Sequence, residues 1–332
     1  KLPLDNPYAA QFYGTYTMLG KAQKAIARAK EAGLTPEKLR SLLQANLAYI
    51  DQIEEEFVDL VGSPLSFKKL PDLLSSIEEL PEQPTDAQTA PLISLGTKIK
   101  ESLRHGVALD QPLRKTTNTG TWKKQWLTTE DGVKGMHKER RRNQQYLHLA
   151  DIYEQYRNQL HERGFYDYAD MLLEVIVQIE NRSDLRAEVQ ERFNYVLIDE
   201  FQDSNAAQLR LAHLIADHHT AEGRPNIMAV GDDDQSIYGF NGAELNNMLH
   251  FNRTYGAEAV STVVLHENYR STSEVLKTAE QIIENSEDRL VHRLPELTKK
   301  LEAKAQNLPE GSIAHLRYET KEQQYYELAH TL

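Results

Sequence analysis

Two short apolar runs, "YVLID" (195–199) and "NIMAVGD" (226–232), each end in an acid, and between them lies "AAQLRLAHLIADHH" (206–219), which has helical periodicity. No other feature restricts the fold as strongly. Nearly continuous apolar runs suit strands of a parallel sheet buried on both faces. Parallel neighbours need a crossover, and the helical stretch supplies one. The unit reads strand–helix–strand. Two later runs, "STVVLHENYR" (261–270) and "GSIAHLRYE" (311–319), read as further strands flanking a helical segment at 272–286. The α/β segments can belong to one sheet or to two.

The first 165 or so residues read as helical. "AQKAIARAKEAG" (22–33) is rich in helix formers and stops at Gly33. Thr35, Pro36 and Glu37 supply an N-cap, a proline at the first helical position and an early acid. Leu39, Leu42, Leu43, Leu47, Ile50, Ile53, Phe57 and Leu60 then recur every three or four residues up to Gly62. The proline-rich stretch 80–91 reads as a loop, and 110–135, polar with three glycines, as an exposed excursion. Helical spacing returns from Tyr146 to Leu160, and again from Met171 to Ile179.

With 332 residues, 40% of them hydrophobic, the chain can bury a sizeable core and suggests two or three domains. No apolar run approaches the roughly 18 residues of a membrane span, so a soluble, cytoplasmic protein with no membrane partner is expected. The absence of cysteine excludes disulfides and thiolate chemistry. "KLPLDNPYAA" is not a signal peptide and lacks an initiator methionine, which points to a chain that starts partway through a larger protein. A net charge of −12 argues against a general nucleic-acid coat. Basic residues nevertheless gather in "RKTTNTGTWKKQW" (114–126) and "KERRR" (138–142), which read either as a solvated face or as a duplex contact.

In parallel α/β sheets, ligands bind beyond the carboxyl ends of the strands, and both acid clusters lie there: Asp199-Glu200 after the first run, Gly231 to Gln235 after the second. An acid so placed can hold magnesium in a phosphoryl-transfer site, and a second can orient or deprotonate water. The plainer reading is that each acid caps the next helix. The usual companion, G-x-x-x-x-G-K-[ST], is not in these 332 residues. "GTYTMLGKA" (14–22) comes nearest, but five residues separate its glycines and Ala22 stands where a hydroxyl is needed. Tyr238 and Phe240 flank Gly239 and suit either base stacking or packing under a loop. Asp217, His218 and His219 read as a surface helix end, since neighbouring helical side chains diverge by about 100°.

Taken together, "VLIDEFQDSN" (196–205), "VGDDDQSIYGFNGA" (230–243) and "LHENYRST" (265–272) resemble, in order and spacing, motifs of UvrD/Rep/PcrA-type DNA helicases of superfamily one, and "YDYADML" (166–172) resembles the segment before their Walker B strand. The likeness is strong from about 145 to 332 and weaker before it. It implies an α/β fold of partial RecA-like P-loop NTPase motor domains with a large all-helical insertion: 1–155 the insertion, 156–262 the later part of the first motor, 263–332 the start of the second. It also implies ATP and Mg2+ as cofactors, with Asp199 on the magnesium, Glu200 activating water and Gln235 on the γ-phosphate. Tyr269 would stack on adenine, and Arg270 would act as a finger on the γ-phosphate. Tyr238, Phe240 and Asn241 would lie on single-stranded DNA, with Gln202 and Asp203 coupling the two sites. Asn241 stands where many relatives have arginine, His266-Glu267 replaces a usual Glu-Gln, and Ser204 a frequent threonine.

The resemblance implies an internal fragment of an ATP-dependent 3′-to-5′ DNA helicase or translocase of repair or replication, engaging single-stranded DNA and duplex junctions. Without the phosphate loop and the late motifs, the fragment itself is expected to be inactive. A motor subunit of a helicase–nuclease (AddA-like) and a non-catalytic DNA-binding or partner-docking module are the alternatives.

Overall fold

The computed structural model describes residues 6, 8, 11–12, 15–84, 93–217, 225–237, 248, 251, 254–256, 259–286, 289–292, 297–306 and 313–331. The chain divides into two compact units, Lys1–Asp232 with Ser236–His250, and Asp233–Gln235 with Phe251–Leu332.

The first unit opens with an antiparallel pair, β1 (Gln11–Phe12) and β2 (Thr15–Tyr16). Helix α1 (Leu19–Glu31) ends just before Gly33, whose φ of +76° reverses the chain as the sequence anticipates. Helix α2 (Pro36–Gly62) begins as expected, with the Thr35 hydroxyl accepting from Lys38 N at 3.3 Å. The face carrying Ile50, Ile53, Phe57 and Val61 packs with α3 (Leu70–Glu78) and α4 (Leu95–Asp110) into one core; Leu39 and Leu43 join a second core with Ile26 of α1.

The stretch 110–135 is not an exposed excursion. It forms α5 (Thr117–Trp126) and an antiparallel hairpin, β3 (Thr128–Glu130) with β4 (Val133–Gly135). Trp122 and Trp126 are buried in the first core, and the Trp122 indole donates to Ile99 O at 3.2 Å. Asp110, fully buried at the end of α4, accepts from Asn118 N (3.0 Å) and Thr119 N (2.8 Å) and so caps α5 from outside that helix. Two tryptophans four residues apart outweigh the surrounding polarity, because each buries a large apolar surface. Helix α6 (His137–Glu162) packs back along α2, placing Leu149, Ala150 and Tyr153 in the second core.

Helix α7 (Tyr168–Asn181) starts with a capping box between Asp167 and Asp170, and α8 (Ser183–Arg192) follows. Strands β5 (Val196–Ile198) and β6 (Ile227–Ala229), joined through α9 (Ala206–Ala216), are parallel, with Val196 opposite Ile227 and Ile198 opposite Ala229. The expected strand–helix–strand unit is therefore formed. Burial on both faces is not seen among the described residues. Helix α9 packs against β5, whereas Leu197 and its partner Met228 share a face on which they stay 74% and 56% exposed. In a two-stranded sheet backed on one side, period-two alternation leaves the other face open.

In the second unit β7 (Glu267–Asn268) pairs in parallel with β8 (Glu302–Ala303), around α10 (Ser273–Ile283), and α11 (Lys321–Thr331) closes the chain. Two sequence expectations fail here. Residues 261–266 are not strand, and residues 313–318 are irregular; the partner of β7 is 302–303. An apolar run becomes strand only where its backbone meets another to bond with, and Glu302 N, donating to His266 O at 2.7 Å, provides that meeting.

Candidate phosphoryl-transfer site

The ends of β5 and β6 are bonded past the strands themselves. Val230 N donates to Ile198 O (2.8 Å) and Phe201 N to Val230 O (2.9 Å), so the chain turns at 199–203 while still held to its neighbour. Asp199 and Glu200 are exposed at that turn, and Asp199 Oδ1 accepts from Glu200 N at 2.9 Å. Glu200 sits in the left-handed region (φ 48°, ψ 45°), a conformation that costs a non-glycine residue about 1–3 kcal/mol and persists only where its surroundings hold it. A short 3₁₀ turn, Phe201–Asp203, follows and buries Phe201 and Gln202.

Gln202 is 3% exposed and ties the turn together. Its Nε2 donates to Glu200 Oε2 at 2.6 Å, and its Oε1 accepts from Asp232 N at 3.0 Å. Asp203 Oδ1 is buried and has no hydrogen-bond partner among the described residues. Asp199, Glu200, Gln202 and Asp203 are thus gathered beside Gly231 and Asp232 within the first unit.

The acids after β6 divide differently. Asp233 and Asp234 belong to the second unit, where Asp233 accepts from Leu290 N at 2.6 Å and pairs with Lys299. Asp234 receives Arg289 in a two-bond fork at 2.7 and 2.8 Å. The bonds that Arg289 donates to Asp234 raise its pKa, against the smaller opposing pull of burial. Both carboxylates have a structural use that the sequence does not reveal. Gln235 is exposed in this same unit. Tyr269 is 69% exposed and donates from its hydroxyl to Glu267 Oε2 at 2.5 Å, which raises its pKa. Arg270 is exposed, its backbone fixed as Asn268 Oδ1 accepts from Arg270 N (3.0 Å) and Ser271 N (2.8 Å). Tyr238, Phe240 and Asn241 lie outside the described residues, as do His218 and His219. Asp217 is bound to Arg186 at 2.5 Å at the end of α9.

Among the described residues no three His, Asp or Glu side chains converge on a metal position. Magnesium does not require such a cluster, because it is usually held by one or two carboxylates with waters and substrate phosphates. Asp199, an exposed hard-oxygen donor at a parallel strand end, fits that demand.

The segment "YDYADML" adds a contact that spacing alone does not show. Lys30 of α1, 1% exposed, lies 2.8 Å from Asp167 and 2.7 Å from Asp170. Burial raises the Asp167 pKa, but the Lys30 ammonium and the capping hydrogen bonds outweigh it and hold the carboxyl low. Part of the basic region 114–142 is paired within the fold, several of these pairs at its surface. Arg140 meets Asp51 (2.5 Å) and Glu54 (2.6 Å), Arg141 meets Glu130 (2.6 Å), and Lys123 and Lys134 donate to the Ser63 and Gly62 carbonyls.

Residues 67–256 match the UvrD/REP helicase N-terminal domain. Over 140 residues the chain is 38% identical to a protein named DNA helicase II from Haemophilus influenzae, a stretch covering 42% of this chain and 18% of that one. It is 35% identical over 146 residues to an ATP-dependent DNA helicase PcrA from Leuconostoc citreum, covering 44% and 19%. It is 36% identical over 141 residues to the protein of that name from Staphylococcus aureus, covering 42% and 18%. The chain thus matches less than a fifth of the length of these relatives.

Proposed function

The chain belongs to the UvrD/REP helicase family, and from that premise we propose that it is an internal part of an ATP-dependent 3′-to-5′ DNA helicase or translocase acting in repair or replication. The observation that carries this reading is the placement of Asp199 and Glu200 at the end of β5, locked to the end of parallel β6 through Gln202. That is where a parallel α/β sheet presents ligands. Residues 156–262 form the later part of a RecA-like motor, 1–155 its helical insertion and 263–332 the beginning of a second motor.

In this reading Asp199 holds the magnesium of bound ATP, which neutralises charge developing on the phosphates. Glu200 takes the proton of the attacking water. Its Oε2 accepts from the Gln202 amide, which orients the carboxylate. Gln235 and Arg270 engage the γ-phosphate, and Tyr269, with a ring that stands 69% exposed, stacks on the adenine. Tyr238, Phe240 and Asn241 contact single-stranded DNA, and Gln202 and Asp203 couple that contact to hydrolysis. These 332 residues contain no G-x-x-x-x-G-K-[ST], so alone they hydrolyse ATP negligibly.

The test is Glu200→Gln in the full-length protein. Nucleotide binding should persist while single-strand-stimulated turnover falls by about a hundredfold or more, the scale of a lost general base. Turnover at the wild-type rate would remove Glu200 from the role. Single-strand-stimulated ATPase in the isolated 332-residue chain would refute the division of the site.

A further inference from the structure

A buried side-chain amide must have its hydrogen bonds met inside the protein. Gln202 meets them with one group on each side of the strand pair: the Glu200 carboxylate on its own turn, and the Asp232 backbone at the end of β6. The fit leaves no room. A Cβ at Gly231 would stand 2.7 Å from Gln202 Oε1, 3.1 Å from Gln202 N and 3.1 Å from Phe201 Cβ. The first of these distances is shorter than real Cβ contacts. A side chain at Gly231 would displace the Gln202 amide oxygen and crowd Gln202 N and Phe201 Cβ, so glycine suits the close approach of the two strand ends. Glu200, in its left-handed conformation, has its carboxylate oriented from outside by this one donor among the described residues.

We infer that Gln202 is the positioning residue of this site, holding the Glu200 carboxylate in register with the Gly231-Asp232 backbone, so that displacement of that backbone moves the general base. The sequence running on from Asp232 leads directly to Gln235 and the aromatic pair Tyr238 and Phe240. Besides the backbone bonds of Val230 with Ile198 and Phe201, the Gln202 amide joins that backbone to the Glu200 carboxylate. This inference rests on the reading of Glu200 as the base. It goes beyond that reading by naming Gly231 and the Asp232 N–H as the other end of the linkage.

Two kinds of measurement test it. In the 332-residue chain, amide hydrogen exchange followed by NMR should show the Asp232 N–H losing protection in Gln202→Ala. The Val230 and Phe201 amides, bonded strand to strand, should keep theirs. Gln202→Glu retains the acceptor for Asp232 N but loses the donor to Glu200, so Asp232 protection should persist in that variant. In the full-length protein, both variants should lose about ten- to a hundredfold in kcat with KM for ATP unchanged, the cost of misplacing a reacting group by an ångström or less. Gly231→Ala should act alike, and the Gln202→Ala/Gly231→Ala double variant should be no worse than Gln202→Ala alone, because both break one linkage.

Wild-type kcat in Gln202→Glu would overturn the inference. So would additive losses in the double variant, or a joint fall of kcat, KM and melting temperature that marks a purely structural role. Glu200→Gln separates the two levels. If it is inactive while Gln202→Glu is normal, only the present inference fails. If it turns over normally, the assignment of the base fails and takes this inference with it.

Discussion

Replacing Lys30 with methionine should destabilise the first unit by about 3–5 kcal/mol, the cost of removing one partner from a buried ion pair. The magnitude follows from what is left behind. Lys30 is 1% exposed and Asp170 6%, and their charged atoms are 2.7 Å apart. Methionine fills most of the volume between the Tyr153 and Tyr156 rings, which Lys30 Nζ approaches to 5.9 and 5.1 Å, so the loss is electrostatic rather than a cavity. Asp167, with half its side chain exposed, can turn to water. Asp170 cannot, and among the described residues it keeps only the bond from Asp167 N at 3.1 Å. The chain's two tryptophans, Trp122 and Trp126, both lie in this unit, so urea unfolding followed by tryptophan fluorescence reports on it alone. With a urea slope of about 3 kcal/mol/M, the midpoint should fall by about 1–1.7 M. Lys30→Met/Asp170→Asn should recover most of the loss, because asparagine keeps an acceptor for Asp167 N without the charge. A single-variant cost below about 1 kcal/mol, or a double variant no better than Lys30→Met, would refute the claim that Lys30 neutralises a buried carboxylate.

Burial pushes the Asp110 pKa up, but the hydrogen bonds from Thr119 and Asn118 outweigh it and hold the carboxyl below its ordinary value. Its contribution to stability is therefore present above about pH 4 and lost as pH falls through the lower folded value. Asp110→Asn should cost about 1–3 kcal/mol at neutral pH, because one helix amide loses its acceptor, and should flatten the acid limb of the tryptophan-detected unfolding profile; an unchanged limb would contradict it. Arg289→Met should remove the two-bond fork on Asp234 and leave it the longer contact with Lys299 at 3.5 Å, loosening the second unit and speeding proteolysis within 273–331 while the tryptophan midpoint stays put. A shifted midpoint would show that the two units do not unfold separately.

Local order was legible wherever a few neighbouring residues decide it. The Thr35 cap, the stop at Gly33, the period of α2 and the crossover between β5 and β6 could all be read from the chain, because each depends on backbone preferences or on periodicity within one element. The strand-end position of Asp199 and Glu200 was legible for the same reason. Contacts between distant segments were not. Nothing near Asp233 and Asp234 in sequence announces Arg289 and Lys299, so strand-end acids that read as ligand candidates turned out to be ion-paired. Residues 313–318 of the run read as a strand at 311–319 are irregular, because pairing is decided by which backbone arrives, and the segment at 302–303 pairs with β7. The sequence by itself determined the strand–helix–strand unit, the cap and stop signals of α1 and α2, and the strand-end position of Asp199 and Glu200. Only the tertiary structure decided which of those acids remain open to a ligand, because a carboxylate is committed by whichever cation or amide the fold brings within about 3 Å of it.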